Sequence, residues 1–513
     1  MTDNLKPLVV VLTLSLLLFA LAKPMALRFC DKTVFERRRN VWLALTVVAF
    51  ISPSFWYFVL FAAPLYYWCG KRDPNPAAIF LVMLHVIPPV NVYIPTPVIK
   101  YLFELNNFRI LALVVLLPMV VQMYYRPGGV NWSRYKVFDS FVLAFAAIQI
   151  LLLLPYEAFT MSMRRAFLMV LDCGLIYIVF SRLGGDLRRL TDALAAFVLG
   201  CALMGIIGLF ESSRGWLMYP GIAQAWGDAN EFAWLLRGDE LRAQAASGHA
   251  LALGYLLAMS IGFWLYLRNY IRSSAKSCAA LVLLAAALYI TISRAPWLIA
   301  VIVYLTYQLT TASKENKNLL RSLLFCILVS AFLVTPWGQP ILEKLPFIGT
   351  VGAESVEYRQ ELWNTSMLLI QQNPWFGSPF VMGKMESLRQ GQGIIDLINV
   401  FAAMALFYGV VGLTLFLAPF MIGMIGAYWR TRQLLKLDKR QAWMGAALVA
   451  TMVGTAFMLG AGSFGTSLPI MYWLLTGLGA ELTTRQLPQA AVVTGAVRTS
   501  AAAGVRPVRK STA

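Results

Sequence analysis

ALVLLAAALYI at 280–290 decides the fold class, together with LLLLP at 151–155. Neither stretch alternates apolar and polar residues, as the strands of a membrane barrel must. Apolar runs near the 20 residues a helix needs to cross a bilayer recur along almost the whole chain. The 513 residues are 59% hydrophobic and 13% charged, with a mean hydropathy of +0.68. Soluble domains carry about a quarter charged residues. The sequence therefore predicts an all-α polytopic membrane protein of about 13–15 transmembrane helices with two larger outer loops.

The net charge of +19 does not point to nucleic acid, because the positive residues cluster in short turns between apolar spans, as the positive-inside rule expects. Residues 28–40 hold five Lys/Arg, residues 429–441 hold another five, and the tail after Glu481 is basic without acids. All three read as cytoplasmic, and shorter basic turns at 126–136, 182–189, 268–276 and 314–321 join them. Two longer polar segments differ. Residues 213–247 hold three Arg and four acids, and residues 337–396 hold four Lys/Arg and six acids. Both read as outer.

The expected organisation is N-terminal transmembrane helices at 1–212, a first large outer loop at 213–247 and central helices at 248–336. A second large outer loop follows at 337–396, then C-terminal helices at 397–481 and a basic, disordered cytoplasmic tail at 482–513. Between the loops the spans alternate, including 248–268 inward, 277–293 outward, 295–311 inward, 319–336 outward and 397–424 inward. The run 41–69 is interrupted by Ser52-Pro53-Ser54 and reads as a hairpin of two short helices. The apolar run 7–22 lacks a cleavage site and reads as a retained helix. Six cysteines lie in or beside apolar runs without metal-binding spacing.

Arginines that oppose the positive-inside bias need another reason to be where they are. These are Arg164, Arg165, Arg214, Arg237, Arg242, Arg294, Arg359 and Arg389. Arg294 lies in TISRAPWL, in a turn of one or two residues, so its guanidinium sits near the headgroups. It either binds phosphate in bidentate fashion or snorkels to lipid. His249, at the outer end of span 248–268, is a proton acceptor, a phosphate ligand or an interfacial group. His85 is mid-span and reads as packed or pore-facing. Together the outer cations describe a site for an anionic headgroup, and a lipid-linked pyrophosphate fits that charge. Without a Walker loop, GxGxxG or HExxH, nucleotide-driven chemistry is not expected. No cofactor or metal is expected either.

Four segments carry a family resemblance: GHALALGYLLAM (248–259), SRAPWL (293–298), YRQELWNTSMLLIQQNPWFGSP (358–379) and NVFAAMALFYGVVGLTLF (399–416). They resemble, in order, motifs of the O-antigen ligase/polymerase superfamily, the WaaL-like ligases and Wzy-like polymerases. The matching positions include Arg359, Leu362, Trp363, Pro374, Gly377, Asn399, Gly409 and Gly412. The resemblance implies a metal-independent glycosyltransferase of the bacterial inner membrane with a GT-C-like helical fold. Its donor is a glycan on undecaprenyl diphosphate at the periplasmic face. Membrane lipid, a chain-length regulator and a flippase of the same pathway are the implied partners.

The position before Asn399 departs from the pattern, since Ile398 stands where ligases carry a histidine thought to act as base. Asp396 is the nearest candidate base, three residues from Asn399 and so on the same helix face. The competing reading is a helix N-cap or first-turn acid. The expected catalytic residues are Asp396, Arg294 and His249. The expected substrate-binding residues are Arg164, Arg165, Arg359, Tyr358, Trp363 and Asn399. The aromatic members, with Trp375, either stack on sugar rings or anchor at the interface. The leading expectation is a polymerase of lipid-linked repeats for exopolysaccharide or O-antigen. The alternatives are a ligase to lipid A–core or another acceptor, and a lipid-linked sugar flippase. A flippase needs mid-span charge, for which Asp172 is the main candidate.

Overall fold

In hydrocarbon every backbone polar group must be satisfied internally, and the long apolar runs of this chain accordingly fold as helices. A computed structural model describes residues 4–94, 103–125, 131–157, 159–183, 186–227, 234–237, 240–312, 353–389, 395–463, 465 and 467–485. The expected span at 319–336 and the tail after 485 lie outside the described residues.

The first half comprises α1 (Leu5–Ala26), α2 (Lys32–Ile51), α3 (Phe55–Arg72), the short α4 (Pro76–Met83) and α5 (Asn107–Tyr125). It continues with α6 (Lys136–Leu151), α7 (Phe159–Leu183) and α8 (Leu187–Arg214). α9 (Pro220–Ala225) belongs to the following loop. Then come α10 (Ala250–Leu267), α11 (Ser274–Tyr289), α12 (Arg294–Thr311), α13 (Ala353–Gln372), α14 (Val400–Leu434), α15 (Lys439–Ala461) and α16 (Ser467–Thr484). The run 41–69 is divided at Ser52–Ser54 between α2 and α3. The only strands among the described residues are two antiparallel pairs of two residues each. β1 (Val92–Tyr93) pairs with β2 (Glu104–Leu105), and β3 (Leu236–Arg237) pairs with β4 (Glu240–Leu241). Seven of the described helices are long and apolar enough to cross a membrane. The chain is an all-α polytopic membrane protein.

One end of the bundle collects the basic turns. Arg38 donates to Asp73 and to Asp192 through two bonds each, at 2.7–2.9 Å. Asn75 bonds the Arg189 carbonyl, Arg134 bonds Thr484, and Arg432 bonds the Ala312 carbonyl. Away from this basic end, the described parts of the two polar segments meet the turn before α12 and the start and break of α14. α10 is the central helix, buried along almost its whole length. Its glycines permit close approach, since a Cβ on Gly254 would stand 2.9 Å from Pro296 of α12. A Cβ on Gly262 would stand 2.7 Å from Val303 of α12 and from Thr451 of α15.

Asp172 does not stand as a free mid-span charge. Arg109 of α5 holds it through two bonds of 2.7 and 2.9 Å. The carboxylate sits in a π-helical turn of α7, Val170–Gly174. His85 is packed, with Nε2 3.3 Å from Ser467 Oγ.

Candidate functional site at the far end

The turn between α11 and α12 carries Arg294 and is held from two sides. Ile292 takes a positive φ of 46°, which a β-branched residue adopts only when its surroundings impose it. Trp297 stacks on Tyr289 with centroids 5.5 Å apart, and its Nε1 donates to the Leu288 carbonyl. The first polar loop supplies the other side. Arg237 donates to the Ile292 carbonyl at 2.9 Å, and Arg242 donates to the Thr291 carbonyl and to Ser293 Oγ at 3.2 and 2.8 Å. That loop is itself pinned by buried Glu211, whose carboxylate accepts from the amides of Met218, Gln244 and Ala245.

The second polar loop is joined to a membrane helix by backbone hydrogen bonds. α14 is broken at Gly409, which has φ 65° and ψ −170°. The groups freed by the break pair with residues 374–378. Ser378 N donates to the Leu406 carbonyl, Val410 N to the Pro374 carbonyl and Val411 N to the Trp375 carbonyl, at 2.8, 2.8 and 3.2 Å. Gly377 also has a positive φ, of 64°. A Cβ on Gly409 would overlap the Trp375 carbonyl, and one on Gly377 would overlap the Leu406 carbonyl. Only glycine fits either place. Trp375 and Phe376 remain exposed beside the break.

Above the break, α14 begins at Asn399, whose side chain accepts from Ala402 N as the helix cap. Asp396 is therefore not the cap. Its amide donates to Tyr358 Oη at 3.2 Å, and its carboxylate bonds Ser463. A small pocket of about 120 Å³ opens next to it, lined by Arg359, Trp363 and Ser366 of α13, Ile398 and Asn399 just before α14, and Gly460 at the end of α15. Burial pushes the Asp396 carboxyl above its ordinary value, and the Ser463 bond and the Arg359 charge pull it partly back.

Electrostatics joins the two loops into one group. Burial, then the charges of Arg294 and Arg359, push the Arg237 guanidinium down from its usual range. Arg294 lies in the field of Arg359 as well. Burial and Arg237 push Arg242 down to about 10. His249 is exposed to solvent in part, while protein surrounds the rest of it. That desolvation, followed by the Arg242 charge, lowers its pKa to about 4. Its Nδ1 accepts from Leu251 N at 3.1 Å as the cap of α10. His249 is thus neutral near pH 7, with its proton on Nε2.

The structure brings together Arg294, Arg359, Tyr358, Trp363, Asp396 and Asn399, with His249 joined through Arg242. It adds Arg237 and Arg242, which the sequence marks as outer arginines without assigning them to the site. Their signal in the sequence is positive charge in a segment that reads as outer. Arg164 and Arg165 have other neighbours. Arg164 donates to Met161 Sδ, and Arg165 acts on Cys173 and Tyr408. Arg389 is bound twice by Glu386, at 2.6 and 2.7 Å.

Among the described residues no three His, Cys, Asp or Glu side chains gather in a metal-holding group. A clustered set of guanidiniums suits a multiply charged phosphate group, and a carboxylate with a raised pKa suits proton abstraction.

No curated protein matches the chain. Residues 279–417 match the family model described as O-antigen ligase (Wzy_C). The matched stretch holds Arg294, Arg359, Asp396 and Asn399 and stops short of Arg237, Arg242 and His249, and over that stretch the chain is similar to the O-antigen ligase/polymerase superfamily.

Proposed function

We propose that the chain is a polymerase of lipid-linked oligosaccharide repeats at the periplasmic face of a bacterial inner membrane. The observation that carries this reading is the grouping of Arg237, Arg242, Arg294 and Arg359 around one end of the bundle with Asp396 among them. Arg294 and Arg359 bind the diphosphate of an undecaprenyl-diphosphate-linked glycan, and Arg237 and Arg242 fix the turn that presents Arg294. The acceptor sugar hydroxyl attacks the anomeric carbon from the face opposite the diphosphate. A new glycosidic C–O bond forms, and the bond to the diphosphate oxygen breaks with its electron pair leaving on undecaprenyl diphosphate. Asp396 takes the hydroxyl proton. The guanidiniums stabilise charge as it develops on the leaving oxygen, and the anomeric configuration inverts.

A second reading keeps the chemistry and changes the acceptor to lipid A–core or another acceptor. The family model's description as O-antigen ligase favours it, whereas Ile398 in place of a histidine before Asn399 favours the polymerase. Asp172, the charge on which a flippase reading leaned, is paired with Arg109, which weighs against that reading. Lipid-linked intermediates in cells lacking the protein separate the readings. Single repeats on the carrier at the outer face support the polymerase, full-length chains support the ligase, and repeats trapped inside support a flippase.

A further inference from the structure

A second cavity, of about 450 Å³, lies away from the arginine group in the half of the bundle toward the basic turns. α1 and α11 each pack against α8, and the cavity is the space between them. Its walls mix large apolar side chains with small ones that face each other, among them Ala22 and Ala26 of α1, Ala195 and Ala202 of α8, and Ala279 and Ala280 of α11. Along α8 it runs from Asp192 to Ile206, about 21 Å at 1.5 Å per residue. Leu21 lines it and is 62% exposed, so the cavity opens sideways on the bundle surface, where hydrocarbon would lie. The volume is within the range of about 300–1,000 Å³ that holds small ligands.

Three charged residues line it, all at the basic end: Arg38, Asp192 and Lys276. Arg38 and Asp192 bond each other, which leaves Lys276 as the charge at the mouth. Arg28 and Arg272 flank that mouth in sequence, and Phe29 packs edge-on against Tyr270 with centroids 5.9 Å apart. This contact draws the end of α1 to the α10–α11 turn. The opposite end is narrowed by close packing. A Cβ on Gly205 would stand 2.9 Å from Ala287 Cβ, and one on Gly208 would stand 3.2 Å from Ile290 Cδ1. α8 and α11 therefore meet between the cavity and the arginine group.

We infer that this cavity holds an acyl chain of one anionic phospholipid from the leaflet on the basic side, with its phosphate beside Lys276 and Arg272. Charge complementarity chooses the occupant. Basic turns attract the anionic lipids of that leaflet, and the apolar walls accept a tail but offer no partners for a polar ligand. The close α8–α11 packing argues against a tail descending from the arginine group. The inference does not depend on the reaction assigned to the far end.

Native mass spectrometry of the full chain in detergent tests this, with phosphatidylglycerol, phosphatidylcholine and polyprenyl phosphate as probes. One phosphatidylglycerol is expected to be retained in preference to phosphatidylcholine. Lys276→Gln should weaken that retention about fivefold, Ala280→Phe should abolish it, and Arg294→Ala should leave it unchanged. Equal retention of the two phospholipids, or no effect of Lys276→Gln, would overturn the inference. Tighter Lys276-dependent binding of polyprenyl phosphate would reassign the cavity to a carrier tail and overturn it too. Lys276 is exposed, so its variant keeps the test valid if Ala280→Phe does not fold.

Discussion

Asp396 bears the most specific chemistry in the proposed reaction, and its surroundings make a signed prediction. Burial raises its pKa, and the Ser463 bond and Arg359 lower it. A base works only when ionised, so activity should fall on the acid side at a pH above the ordinary carboxylate value of about 3.9. Ser463→Ala removes a bond to the charged form and should move that limb to higher pH. Asp396→Asn should remove activity together with the limb. An acid limb that ignores Ser463→Ala would take the role away from Asp396. Arg242→Ala should act at a distance from the chemistry. It frees the Thr291 carbonyl and Ser293, so the Arg294 turn loosens and activity should drop about 10–100-fold, roughly 1.4–2.7 kcal/mol, with membrane levels unchanged. Arg294, Arg359 and Asn399 stand out in sequence because short local motifs carry them, and Asp396 because it is the nearest acid to Ile398, where the motif histidine is missing. The role of Arg237 and Arg242 does not, because their partners at 291–293 lie about fifty residues away along the chain. Nor does the state of His249, since its low pKa and cap follow from packing.

The break in α14 gives the glycines and proline of the family motifs a physical meaning. Pro374, Gly377 and Gly409 are the places where a loop backbone enters a helix and replaces its missing hydrogen bonds. Gly409→Ala forces a side chain into positive φ and against the Trp375 carbonyl. It should cost at least about 1–3 kcal/mol, read as a lower melting temperature in detergent. Gly377→Ala should match it, and the double variant should cost less than the sum, because both remove one shared junction. Full additivity would contradict the junction. The sequence showed these residues but not the break. The apolar run from 400 to 424 is continuous, and hydropathy does not register a backbone pairing between distant segments. The division of α2 from α3 was legible, because Ser52-Pro53-Ser54 interrupts the apolar run locally.

At the scale of the whole molecule, charge placement fixes the architecture. Basic turns converge on one end, where Arg38 binds two carboxylates, Asp73 and Asp192, and the Asp73 side chain is fully buried. Arg38→Met would leave both acids without their partner and should cost about 3–5 kcal/mol, seen as loss of folded protein from the membrane. Wild-type levels in that variant would show the network to be dispensable. The helical membrane class was legible because a bilayer permits few backbone solutions. The pairing of Asp172 was not, since Arg109 lies on another helix. The far end gathers a group of arginines, a neutral histidine and a carboxylate of raised pKa. If Arg294 holds the donor diphosphate there, lipid-linked intermediates in cells carrying Arg294→Ala should be single repeat units accumulating on the carrier, with no polymer and the variant at wild-type levels in the membrane, whereas polymer of normal amount and length would show that Arg294 does not hold it.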